Sequence, residues 1–227
     1  MLEEYWLNFE SKKIINLRIM LSKIAKLPIL KRLIPSLAIR ILKIIGKNRK
    51  YYSIRGIDMY LDFLDPIDRE IILFNEFEKL EIEFLLSEIK RKQLNYFLDV
   101  GANCGYYSLK IAEKFSNINI FSFEPNPEAY FKFSKSLLKN FKLSKNIKLE
   151  HFGLSNENKK LKMQSMIKFG YAQTGGSTVI KNNIKENHHE FYANFKIGDE
   201  ILNLRKKNLA IKIDVEGHEL NVLKGLK

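Results

Sequence analysis

Residues 97–108 read FLDVGANCGYYS. The residues before Gly101 suit a buried strand, Gly101 and Gly105 lie four apart, and from Tyr106 the chain reads as a helix. A strand running through a glycine-bearing turn into a helix is half of a β-α unit, and the residues that follow repeat it. The spacing predicts strand Tyr96 to Val100, helix Tyr106 to Phe115, strand Ile118 to Phe123, helix Pro127 to Phe141 and strand Ile147 to Phe152. After a polar, irregular stretch, SMIKFGYAQTGGSTVIKNN, come a strand FYANFKI, a short helix from Asp199, a strand LAIKIDV and a final helical run HELNVLKGLK. Such alternation makes a parallel sheet covered by helices.

In such a sheet a ligand sits beyond the carboxyl ends of the strands, where the strand order reverses. The turn DVGANCG, first of its kind in the alternating region, occupies that place. It is not a dinucleotide fingerprint, because Asn103 stands where the middle glycine would be, and no Gly-Lys-Ser/Thr follows to make a P-loop. The carboxylate of Asp99 would repel a pyrophosphate and attract a cation. Glu124, at the end of the next strand in FSFEPNPEAY, lies twenty-five residues past Asp99. That is near the offset of roughly twenty residues at which an acidic residue grips ribose hydroxyls. An adenosine bearing a positive group satisfies both carboxylates, and S-adenosylmethionine is such a ligand.

Four stretches in order, FLDVGANCGYYSLKIA, FEPNPEAY, GGST and IKIDVEGHELNVLKG, resemble the FkbM family of S-adenosylmethionine-dependent methyltransferases. The likeness runs from about Ile54 to Lys227. It implies the Rossmann-like class I methyltransferase sheet and O-methylation of a hydroxylated small molecule or glycan. Carried over by position, Asp99, Gly101, Asn103 and Gly105 would form the methionine side of the donor pocket. Glu124 would bind ribose, and the turn Gly153 to Ser155 would lie near adenine, with Ser155 as a donor-binding residue. The family sheet has seven strands, and LAIKIDV would be the fourth, so the resemblance implies a domain that is incomplete at its C-terminal end. A noncatalytic, truncated methyltransferase-like protein that binds a membrane surface or a partner is the alternative.

Methyl transfer to a hydroxyl needs a positioned acceptor and a group to take its proton. IKIDVEGHEL supplies Asp214, Glu216, His218 and Glu219 at the end of a buried strand. Asp214 is expected near the methyl group and acceptor, with Glu216 or His218 taking the proton. The same cluster could ligate Mg²⁺ or Mn²⁺, but His218 and Glu219 should diverge on the following helix, so no metal is expected. The turn Thr174 to Thr178, TGGST, is expected to line the acceptor site.

Outside this region the chain divides at about residues 50 and 94. Of 39 Lys and Arg, thirteen fall between Ser11 and Ile57, a segment without Asp or Glu, which leaves 26 basic against 26 acidic residues elsewhere. The net charge of +13 therefore belongs to one N-terminal segment. Within residues 1–50, Leu30, Leu33, Leu37, Ile41 and Ile44 recur at helical spacing, with Lys31, Arg40, Lys43 and Lys47 largely between them. This is a basic amphipathic helix, too interrupted by lysine to span a bilayer. It is suited to packing on the domain or to an anionic membrane surface through residues 11–55. Nucleic acid is not an expected partner, since no RNA-module signature accompanies the charge. Residues 51–94 read as a hairpin around Gly56, a helix capped by Asp65 and begun by Pro66, and a second helix over Phe77 to Lys92. Residues 95–227 form the donor-binding domain. The single cysteine, Cys104, reads as a packing residue and fits a reducing compartment, and no secretory leader is evident, so the expected address is cytoplasmic.

Overall fold

The computed structural model describes residues 48–168, 170–180, 187–204 and 206–226. The amphipathic helix expected before residue 48 lies outside the described residues. The described part opens with a hairpin of β1 (Arg49–Ile54) and β2 (Ile57–Asp62). Its turn places Arg55 and Gly56 at φ 48° and 88°, the paired left-handed conformations of a tight two-residue hairpin. The free edge of β2 is capped by side chains: the amides of Asp58, Tyr60 and Asp62 donate to Asn140, Ser136 and Asp68. That consumes the donors that would otherwise template another strand. The basic residues here form ion pairs within the fold, Arg49 with Asp62 at 2.7 Å and Arg55 with Glu76 at 2.5 Å.

Helix α1 (Pro66–Phe74) begins as expected, with the Asp65 carboxylate accepting from the Ile67 amide. It is followed by α2 (Lys79–Lys92), β3 (Tyr96–Val100), α3 (Tyr106–Lys114), β4 (Asn119–Phe123), α4 (Pro127–Lys139), the single turn α5 (Phe141–Ser144) and β5 (Ile147–Glu150). The chain then makes β6 (Gly153–Ser155), β7 (Lys159–Lys168), β8 (Tyr171–Ala172), β9 (Thr178–Val179) and β10 (His188–Ile197). Short α6 (Gly198–Ile201), β11 (Leu209–Ile213) and α7 (Glu219–Lys224) complete it.

The main sheet has the order β11-β3-β4-β5, with every neighbouring pair parallel. This is the Rossmann-like arrangement, with the order reversing beside β3. Both faces of β3 are buried: Phe97 and its neighbours pack under α2, α3 and the hairpin, and Leu98 and Val100 pack with Phe123, Phe152 and Val222. A strand buried on both faces must be apolar throughout, as FLDV is apart from its one Asp.

The expected strand FYANFKI lies within β10, which belongs to a second sheet, β6-β10-β7-β8, with β9 also on β7; the stretch expected to be irregular supplies the end of β7, β8 and β9. β7 and β10 pair antiparallel over eight residues, from His188 opposite Met166 to Phe195 opposite Lys159. The reason β7 does not read as a strand is that it is written KKLKMQSMIK, where lysines and polar residues surround the buried run Met163, Gln164 and Ser165 and no apolar alternation shows. Its partner is remote in sequence, and the pairing that stabilises it is not a local signal. This sheet stands beside the carboxyl end of the main sheet and gives one wall of the cleft described next. Among the described residues no helix is long and apolar enough to cross a membrane.

Candidate functional site

The turn after β3 is shaped by packing as much as by flexibility. Gly101 is at φ 80°, and a Cβ there would lie 2.0 Å from the carbonyl oxygen of Asp214. Gly105 is at φ 82°, and a Cβ there would strike the Phe133 ring at 2.2 Å. The two glycines let the turn lie against the end of β11 on one side and against α4 on the other. Between them Asn103 takes φ 50°, a conformation that Asn tolerates better than most residues. Its amide donates to Glu124 at 2.7 Å, and its side-chain oxygen accepts from the Thr174 hydroxyl at 3.0 Å.

Asp99 does not face solvent. It is buried below the turn, where Oδ2 accepts from the Ser108 hydroxyl at 2.6 Å and Ser108 in turn meets Ser122. The register sets Lys212, Asp99 and Ser122 side by side on three adjacent strands. The cation that the Asp99 carboxylate was expected to draw from a ligand is thus supplied by the protein itself, with Lys212 Nζ 3.6 Å from Oδ1.

Glu124 lies at the floor of a cleft whose lining includes Gly101, Asn103, Pro125, Leu154, Asp214 and Glu216. Each carboxylate oxygen accepts one backbone amide, from Asn103 and from Asn126, both at 2.7 Å. Burial nevertheless dominates those two donors and pushes the carboxyl up to about 7. An ionised carboxylate has room for about four hydrogen bonds, so two lone pairs remain for hydroxyl donors in the cleft.

Ser155 and His218 are brought together, and His218 lines the same cleft as Asp214 and Glu216. Ser155 is buried and its hydroxyl meets His218 Nε2 at 3.0 Å, while the Asn221 amide meets Nδ1 at 3.1 Å. The ring also packs edge-on against Phe195. Both ring nitrogens thus have partners within the protein, and the Ser155 hydroxyl is engaged with one of them. Gly153 and Leu154 of the same turn do line the cleft. Asp214 is 60% exposed, with Oδ2 3.5 Å from Lys212 Nζ. Glu216 sits at φ 50° at the rim, and its carbonyl accepts from the Thr178 hydroxyl. Glu219 accepts from the Gly217 amide. Among the described residues no group of three or more His, Cys, Asp or Glu converges to hold a metal ion.

The TGGST turn does line the cleft, but its hydroxyls are largely committed inward. The Thr174 amide donates to Asp65 and its hydroxyl to Asn103, and Ser177 bonds Asn126 and the Thr174 carbonyl. Beneath it lies a network that local sequence patterns did not disclose. Lys132 of α4, almost without solvent exposure, reaches Asp68 at 2.6 Å and Thr174 at 3.0 Å, and stands 3.7 Å from Asp65. Burial opposes each charge here. The two carboxylates hold the Lys132 ammonium above its ordinary range, and Lys132 with Thr174 keeps Asp65 below the usual carboxylate range. For Asp68 burial wins, assisted by the nearby Asp65, and its carboxyl rises to about 6. The readable signal was a lysine within the apolar face of an amphipathic helix, AYFKFSKSLL.

A profile of the methyltransferase FkbM domain matches residues 99–227, more than half of the chain. The chain is 28% identical over 183 residues to Methyltransferase 1 of Beauveria bassiana (strain ARSEF 2860), a match covering 67% of this chain and 70% of that one. It is 26% identical over 195 residues to Methyltransferase sdnD of Sordaria araneosa, covering 70% and 74%. A solved structure, the methyltransferase FkbM from Methylobacillus flagellatus KT, aligns at 16% identity with a TM-score of 0.39. That alignment covers 58% of this chain and 28% of the other, so the present chain spans little more than a quarter of it.

Proposed function

The chain belongs to the methyltransferase FkbM domain family, and from that premise we propose that it transfers a methyl group from S-adenosylmethionine to a hydroxyl of a glycan or related acceptor. The observation that carries the donor is Glu124, a buried carboxylate that lines the cleft at the carboxyl end of β4 and accepts only one backbone amide on each oxygen. Ribose hydroxyls match the lone pairs that remain. Gly153 and Leu154 line the same cleft and would meet an adenine there, and among the described residues no lysine or arginine lines it to recruit a phosphate.

When bound, the donor supplies an electrophilic methyl on a good leaving group. The protein is left with orientation and one proton. Asp214 and Glu216 line the mouth of the cleft. Glu216 is held against the TGGST turn by the bond from Thr178, which favours it as the group that takes the hydroxyl proton. Asp214, tethered toward Lys212, orients the acceptor.

Transfer of labelled methyl from S-adenosylmethionine into glycan extracts tests the whole reading. Label confined to the donor and its hydrolysis products, with every hydroxylated acceptor class offered, would refute it. The donor assignment has its own signature in pH. Binding to ribose favours the ionised Glu124, so affinity for S-adenosylhomocysteine should rise by about tenfold from pH 6 to pH 8, through the value of about 7. Glu124→Gln should bind more weakly and without that dependence in calorimetry. The ligand-free protein should show the opposite trend. A folded value raised from 4.5 to about 7 gives stability that is fully present below 4.5 and lost as pH rises through 7.

A further inference from the structure

Lys212 interrupts an otherwise apolar strand, LAIKI, and its surroundings are not those of a closed ion pair. Its Nζ lies 3.2 Å from the Gly101 carbonyl, 3.5 Å from Asp214 Oδ2 and 3.6 Å from Asp99 Oδ1. All three exceed the length of about 2.7–2.9 Å typical of a charge-assisted bond. Lys132, by contrast, closes to 2.6 Å on Asp68. The standoff leaves Asp99 Oδ1 buried without a hydrogen-bond partner, a cost that a purely structural pair would remove by closing.

The ammonium opens on a second cleft, which meets the first over Gly101 and Asn103 and shares Asp214 and Glu216 with it. Among the described residues lining the second cleft, Lys212 is the only Lys or Arg. Tyr107 lies beneath it, with the ring centroid 5.2 Å from Nζ, and the Tyr107 hydroxyl donates to Glu78 across the same cleft. Glu78, Asn103 and Glu216, all in left-handed conformations, stand around this one cavity. Such strain is retained where a site demands it.

The resemblance puts the methionine side of the donor beside the glycine turn that lines this second cleft, and we propose that the Lys212 ammonium is the group that binds its α-carboxylate there. The inference rests on the donor reading above and adds the residue that recognises the donor's far end. One cation among three carboxylates, Glu78, Asp214 and Glu216, offers a positive point for the donor's α-carboxylate and acidic groups for its α-ammonium. With adenosine at Glu124, the sulfonium between the two ends falls where the clefts join, beside Asp214 and Glu216.

Calorimetry with S-adenosylmethionine and with its decarboxylated analogue, which keeps the sulfonium and amine, tests this directly. Wild type should bind the analogue at least about tenfold more weakly, the loss expected for one charge-assisted hydrogen bond. Lys212→Met should lose affinity for S-adenosylmethionine by a similar factor and bind the analogue as wild type does, and Lys212→Arg should keep the preference. Because Lys212→Met alone leaves Asp99 unpaired, the double variant Asp99→Asn/Lys212→Met supplies the same comparison in a chain without the buried charge. Equal wild-type affinities for the two compounds, or a preference that survives loss of Lys212, would overturn the proposal. Failure of wild type to bind either compound would overturn the donor reading itself, and this inference with it.

Discussion

Glu216→Gln is expected to lower methyl transfer by roughly a hundredfold or more, the size associated with losing a general base. Affinity for S-adenosylhomocysteine should stay near wild type, because the donor contacts proposed here do not use the Glu216 carboxylate. The amide preserves size but cannot take a proton. Glu216→Gly separates the carboxylate from the backbone: glycine relieves the strain of φ 50°, so this variant should fold at least as well and still be inactive. Single-turnover transfer of labelled methyl, with thermal unfolding alongside, reads both properties. Turnover that survives Glu216→Gln and collapses in Asp214→Asn would move the proton transfer to Asp214.

Lys132→Met is expected to destabilise the protein by about 3–5 kcal/mol, because it strands two carboxylates in the interior without their cation. The deficit has a pH signature. With Lys132 gone, both Asp65 and Asp68 would have folded values raised above the ordinary carboxylate range. The stability of the variant is then greatest at acid pH and falls as pH rises through those values. Denaturant titrations of wild type and variant from pH 4 to pH 8 should therefore diverge with rising pH, and parallel curves would contradict the assigned charges. Adding Asp68→Asn should recover part of the loss. Since Thr174 joins Lys132 to Asn103, the variant should also loosen the TGGST turn over the donor cleft.

The alternation of strands and helices from Tyr96 to Glu150 was legible because each element there carries its own signal. β3 is an apolar run, α4 starts at Asn-Pro with a capping side chain, and the glycines of the first turn are called for locally by φ near 80°. Asp99, Glu124, Asp214 and Glu216 were singled out by the same logic, since a carboxylate after an apolar run is conspicuous against its neighbours, although β11, expected to be buried, is a partly exposed edge strand. The strand β7 was not legible, because its stabilising partner β10 lies across a long connection and its buried run, Met163, Gln164 and Ser165, is mostly polar. Lys132 and Lys212 were passed over for a related reason. Each is a single lysine among many, marked only by apolar neighbours, and the packing is what shows the ammonium to be buried.

By itself, then, the order of residues determined the parallel β-α framework, the glycine turn after Asp99 and the acidic residues at the strand ends, all properties of short windows whose free energy is local. Tertiary structure alone decided what those residues face. It turned Asp99 inward onto Ser108 and Lys212, gave both nitrogens of His218 to Ser155 and Asn221, and set Thr174 against Lys132. The physical reason is desolvation: a charge or imidazole is a candidate for chemistry until burial obliges the protein to pair it. Which partner it then finds depends on elements that approach one another only when the chain has folded.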